Sequence, residues 1–289
     1  MRPTPPRFDV DTRAPQFGAL RFQFQQAPAT GPAHGVLIAV HGVRRNVLEH
    51  AEAFSAQAWR ARCHLLIPHF DAQRYPDYQR LGRPGRGQRA DLHLIALVAH
   101  LAREFDFDAS DLRLFGHSGG AQFVHRFAMA HPDLVRRYAL SAAGWYTFPD
   151  ARLAFPMGTA HPPETFPRLE ACRFLPVPGR VFVGRREHAH SRLLRHAPDL
   201  DAAQGMSRLD RARRWVTAMQ TAARAHALDA AVDLVELADG AHSFSGLVRR
   251  TALVQHVVEF LVPESAGHTP QRSAVPHHPD HANPPNACA

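Results

Sequence analysis

The chain has 289 residues, 45% of them apolar, and a formal charge of +8 from 34 basic and 26 acidic side chains, an ordinary composition for one large globular domain or two small ones. No apolar run approaches the ~18 residues of a membrane-spanning helix, and the first thirty residues lack the apolar stretch of a secretory signal. A cytoplasmic protein without a membrane span is expected.

Every basic residue is arginine, dispersed along the chain and interleaved with acids, which argues against nucleic acid as a partner. Cys63, Cys172 and Cys288 are too few and too scattered for a disulfide framework and read as free thiols. Residues 1–17 are Pro-rich and without periodicity, and 263–289 form a Pro- and His-rich tail, so both read as flexible segments flanking a folded body of 18–262.

Within that body, short apolar runs at 20–24, 36–40, 64–67, 112–115, 135–140, 181–183 and 233–237 alternate with segments of helical period. Alternation of this kind predicts an α/β fold with a mainly parallel central sheet and helices on both faces. Asn46, with Glu49 three residues on, reads as the N-cap and capping box of a helix running toward Arg60. Leu94, Leu97, Val98 and Leu101 share one helical face, as do Leu209, Ala212, Val216, Met219 and Ala223. A last helix carrying Leu247, Val254, Val258 and Leu261 is expected to end before Pro263.

The most informative stretch is 112–131, where an apolar strand runs into Gly116, His117, Ser118, Gly119 and Gly120 and then into a helical pattern closed by His131 and Pro132. This is G-x-S-x-G in the strand-turn-helix setting that presents a serine hydroxyl on a strained bend, the flanking glycines removing Cβ atoms that would collide there. The following helix turns its N-H groups and positive dipole end toward that hydroxyl, favouring negative charge on a tetrahedral intermediate.

Upstream, the strand at 36–40 ends in His41 and Gly42, and the backbone N-H of Val43 with that of Gly119 makes a candidate oxyanion pair. The base is chosen by position among 21 histidines: His242 lies in a loop between the last strand and the last helix, where the order Ser, acid, His places it. The acid belongs between them at a strand end. Glu187, after the strand at 181–183, is the first choice, and Asp150, after the preceding strand, remains an alternative.

With strand, elbow, intervening acid and late histidine in this order, the chain resembles the α/β-hydrolase fold, in particular bacterial esterase-like members related to poly(3-hydroxyalkanoate) depolymerases. The resemblance spans about residues 20–262 and rests on AVHGVRRN at 39–46, LFGHSGGAQFVHRFAMAHP at 114–132 and DGAHSF at 239–244. It implies Ser118 as nucleophile, His242 as base, Val43 and Gly119 as oxyanion donors, and no cofactor. Such enzymes usually carry Asp after the strand-Gly segment, whereas this chain has Gly184-Arg185-Arg186-Glu187.

The aromatic, Pro-rich stretch 145–178 lies where this fold often inserts a cap; Trp145 and Tyr146, with His41 and Arg44, are candidate substrate contacts. Glu187, His188 and His190 lack the spacing of a helical metal motif, so no metal is expected. The expected function is hydrolysis of a small-molecule carboxylic ester through an acyl-enzyme on Ser118. The alternatives are an acyltransferase or lyase on the same scaffold, or a binding protein that retains the fold. Oligomeric state is not legible.

Overall fold

The computed structural model describes residues 20–188 and 194–263; the expected N-terminal segment, His190, Cys288 and the tail beyond 263 lie outside the described residues. The strands are β1 (Arg21–Gln25), β2 (Val36–Val40), β3 (His64–His69), β4 (Leu112–His117), β5 (Val135–Ser141), β6 (Gly179–Gly184) and β7 (Val232–Leu237). They form one sheet in the order β1-β3-β2-β4-β5-β6-β7, in which only β1 and β3 pair antiparallel. Every expected strand is found, each end within two residues of its expected place.

The helices are α1 (Val47–Arg60), α2 (Ala90–Phe105), α3 (Gly119–Ala130), α4 (Ala171–Phe174), α5 (Pro198–Gln204), α6 (Arg208–Ala225), α7 (Phe244–Arg250) and α8 (Leu253–Leu261). None among the described residues is long and apolar enough to cross a membrane. Asn46 caps α1 as its spacing predicts, its side-chain oxygen accepting from the Glu49 N-H at 3.4 Å.

The single last helix expected from the apolar spacing is instead two, α7 and α8. Thr251 separates them in extended conformation. Its hydroxyl donates to the Leu247 carbonyl (2.7 Å) and accepts from the Leu253 N-H (3.3 Å), so the side chain replaces backbone helix bonds at the break.

Both faces of the sheet are covered, and the strands divide between two cores by their two-residue alternation. In β2, Val36, Ile38 and Val40 pack beneath α2, α3 and α6, while Leu37 and Ala39 face α1 and α8. Cys63 is a buried free thiol in the second core, its pKa pushed up to about 12 by that burial. Cys172 is disulfide-bonded, so the free-thiol expectation does not hold for it.

Parallel pairing brings the carboxyl ends of β2, β4, β5, β6 and β7 to one edge, the edge where ligands bind in open α/β sheets. The first turn of α3 presses directly onto this edge: a Cβ at Gly120 would stand 2.1 Å from the Val40 carbonyl oxygen. Backbone, not a movable side chain, fills the space. Gly120→Ala should therefore destabilise the protein by about 1–3 kcal/mol or more, read as a lowered urea midpoint at unchanged slope.

Candidate active site

Ser118 sits at the turn between β4 and α3 with φ 54° and ψ −110°, a conformation that side chains other than glycine rarely adopt and that stores about 1–3 kcal/mol of strain. The turn is held on both sides, by the Ser118 N-H donating to the Ser141 carbonyl (2.8 Å) and the Ser118 carbonyl accepting from the Gln122 N-H (3.2 Å). The side chain is thereby presented at the carboxyl edge of the sheet.

His242 reaches it from the loop after β7. Ser118 Oγ and His242 Nε2 are 3.2 Å apart, and His242 Nδ1 lies 3.0 Å from Glu187 Oε2. This network assigns the proton to Nδ1, which donates to the carboxylate, and leaves Nε2 to accept from the serine hydroxyl. The His242 side chain is 28% exposed and that of Glu187 2%.

Glu187 reaches this position by curling back on its own strand end. Oε1 accepts from the Gly184 N-H at 3.2 Å. The two loops are laced together, with the Arg186 N-H donating to the Gly240 carbonyl at 3.0 Å. The approach is so close that a Cβ on Gly184 would fall 2.2 Å from that same oxygen. Buried Arg208 places its Nε 3.8 Å from Glu187 Oε2, a cation behind the carboxylate that the sequence reading missed.

On the other side of Ser118, the Val43 N-H lies 3.2 Å from where a Gly119 Cβ would be. Among the described residues, neither this N-H nor that of Gly119 has an acceptor. The Val43 nitrogen thus stands beside Gly119, the residue that follows the serine. Tyr78 braces this turn, its hydroxyl donating to the His41 carbonyl at 2.9 Å. Arg45 clamps the same loop, donating to the carbonyls of Phe70 (2.8 Å) and Val43 (2.9 Å).

No protein-family model matches the chain, and no curated protein does. Solved structures do. A poly(aspartic acid) hydrolase from Sphingomonas sp. KT-1 superposes with a TM-score of 0.72 at 22% identity, over 85% of this chain and 94% of that one. A poly(3-hydroxybutyrate) depolymerase from Bordetella parapertussis superposes with a TM-score of 0.67 at 24% identity, over 86% of each. An S-formylglutathione hydrolase from Agrobacterium tumefaciens gives 0.53 at 15% identity, over 84% and 90%. The chain has the α/β-hydrolase fold.

Three sequence-based expectations need correction on this frame. The carboxylate on His242 is that of Glu187, and the Asp150 carboxylate is held by the Arg152 backbone N-H and guanidinium at 2.8–3.0 Å. His41 does not face a substrate, being wholly buried. Its Nδ1-H donates to the Gly42 carbonyl (2.9 Å) and its Nε2 accepts from the Phe70 N-H (3.1 Å), so it supports the loop after β2 from inside. Tyr146 is also sealed, stacked on Trp215 with centroids 4.9 Å apart. The backbone at Tyr146 is pinned by Gln204, whose amide both accepts from its N-H (2.9 Å) and donates to its carbonyl (2.8 Å).

Trp145 is nearly buried, and Phe166 and Phe174 lie in the main core, so these aromatics of 145–178 pack onto the body of the fold. Arg44 is exposed beside Val43. A further residue, Phe244, anchors the histidine loop, its ring stacked on His50 at 4.0 Å and packed against His117 at 5.3 Å. The apolar residue just after His242 was its only signal in the sequence.

The histidines behind the site are neutral because burial penalises their charged form: His41 is lowered to about 3 and His50 to about 4, while His117 is also held well below the ordinary value of 6.5. Below pH 6.5 the unfolded chain protonates these groups and the folded chain does not. Their contribution to stability is complete above pH 6.5 and is lost as pH falls toward the folded values. For His50 the window is pH 6.5 to about 4, at about 1.4 kcal/mol per pH unit. Urea unfolding of His50→Gln at pH 7, 6 and 5 should accordingly show a shallower loss of stability with acid than the parent by about that slope, whatever its stability at pH 7.

Proposed function

We propose that the protein is a serine hydrolase that cleaves a carboxylic ester without a cofactor. The observation that carries this reading is the continuous chain from Ser118 Oγ to His242 to Glu187, at 3.2 and 3.0 Å, with the Val43 nitrogen close to Gly119 on the other side of the serine. The hydrolase and depolymerase names borne by similar folds support the same class of chemistry.

In this mechanism Ser118 Oγ attacks the ester carbonyl carbon as His242 Nε2 takes the hydroxyl proton. The carbonyl oxygen becomes an oxyanion between the N-H groups of Val43 and Gly119, each such donor being worth about 10² to 10³ in turnover. Glu187 stabilises the imidazolium and holds its orientation. The intermediate collapses with the His242 proton passing to the departing alkoxide, leaving an ester on Ser118. Water, deprotonated by His242, then attacks the acyl carbon and releases the acid while the proton returns to Ser118. Arg208 acts through Glu187, keeping its carboxylate against the loop.

A fluorophosphonate probe should label the native protein and spare Ser118→Ala; a well-folded native sample that resists labelling would instead favour a binding protein on this scaffold. On p-nitrophenyl esters, Glu187→Ala should lower kcat by about 10³ to 10⁴, whereas Asp150→Ala should stay within about twofold of the parent. The reverse ranking would reassign the acid.

A further inference from the structure

Trp145 lies four residues past the end of β5, on the same sheet edge as Ser118, and three guanidinium groups gather around its ring. The Cζ atoms of Arg126, Arg80 and Arg195 stand 4.3, 5.4 and 5.7 Å from the ring centroid. Like charges repel, so three cations around one indole are costly unless an anion offsets them. The fold supplies none: among the described residues, no ion pair involves any of the three. Asp77, within electrostatic reach of Arg80, is engaged by Arg83 at 2.6 Å and Arg86 at 3.7 Å.

Arg126 sharpens the imbalance, being fully buried on α3. It donates to Thr147 Oγ1 (2.9 Å) and to the carbonyls of Gln79 (2.6 Å) and Gln122 (3.1 Å), yet its Nη2 has no partner. A buried cation with an orphaned donor and no counter-ion is unfavourable in a protein that has no use for the field it creates. Its pKa is held well below that of an ordinary arginine, first by burial and then by Arg80. Arg80 is half-buried and Arg195 exposed, so the cluster opens to solvent in front of the buried charge.

Its position relates it to the nucleophile. Arg126 is eight residues along the helix that begins after Ser118, a rise of about 12 Å. Arg80 shares a short helical turn with Tyr78, whose hydroxyl would stand 2.7 Å from a Gly119 Cβ. We infer that Arg80, Arg126 and Arg195 around Trp145 form an anion-binding subsite, which receives a carboxylate carried by the substrate at the end remote from its scissile carbonyl. Arg80 and Arg195 make the direct contacts and Arg126 supplies the field behind them. The inference deepens the hydrolase reading and rests on it for the word substrate, but the anion site itself stands on separate residues.

The test compares the mono-p-nitrophenyl ester of decanedioic acid with the same compound methylated on its free carboxyl group. The native enzyme should prefer the acid by about tenfold in kcat/KM at low salt, equivalent to about 1.4 kcal/mol, and the preference should shrink as salt is raised. In Arg80→Gln/Arg195→Gln the ratio of the two substrates should fall to about one; Arg126 is left in place because it is buried. A native enzyme without preference, or a double variant that keeps it, overturns the subsite.

Calorimetric titration of Ser118→Ala with decanedioate, with and without the two arginine substitutions, needs no turnover. Binding weakened about tenfold by the substitutions supports the subsite even if neither ester is cleaved, in which case only the hydrolase reading fails. Turnover of both esters at equal rates without diacid binding leaves the hydrolase and removes the subsite.

Discussion

The close approach of the first turn of α3 to the end of β2 is the constraint on which the rest of the site depends. With Gly120 set against the Val40 carbonyl, α3 starts close against the sheet edge, and Ser118, the residue before it, takes a positive φ. Gly119, between them, lies beside the Val43 nitrogen. The strained serine and the nearness of Val43 thus belong to one tightly packed turn. Its cost is spread over a sheet buried on both faces, in which β2 and β4 are fully paired.

The other half of the site is assembled by the exits of β6 and β7. Both exits are pinned: Arg186 bonds to Gly240, Glu187 folds back to Gly184, and Phe244, two residues after His242, packs into the core. A histidine on a free loop would sample many orientations, whereas here the imidazole is held between a buried carboxylate and the serine. The surrounding histidines serve differently. His41, His50 and His117 are sealed from water and neutral, whereas His242 is partly open to solvent.

Arginine carries much of this bracing. Arg45 ties the loop after β2 to Phe70, Arg208 stands behind Glu187, and Arg211 is buried with a carboxylate partner in Asp201. The planar guanidinium can satisfy several carbonyls at once, which suits it to cross-linking loops. Among the described residues, the arginines around Trp145 differ from Arg208 and Arg211 in making no ion pair.

The local sequence by itself determined the strands, the capped helix at Asn46, the glycine-flanked turn at Ser118 and the late position of His242. These features depend on alternation, on turn residues and on chain order, all of which act within a few residues or along the chain. Only the tertiary structure placed Glu187, and not Asp150, against His242, because that contact turns on a side chain meeting a loop 55 residues away, while Arg152 engages Asp150 locally. It also sealed His41 and Tyr146 inside, brought up Tyr78 and Arg208 without any local motif, and broke the last helix at Thr251. Burial and long-range hydrogen bonding are properties of the packed chain, and no spacing between neighbouring residues encodes them.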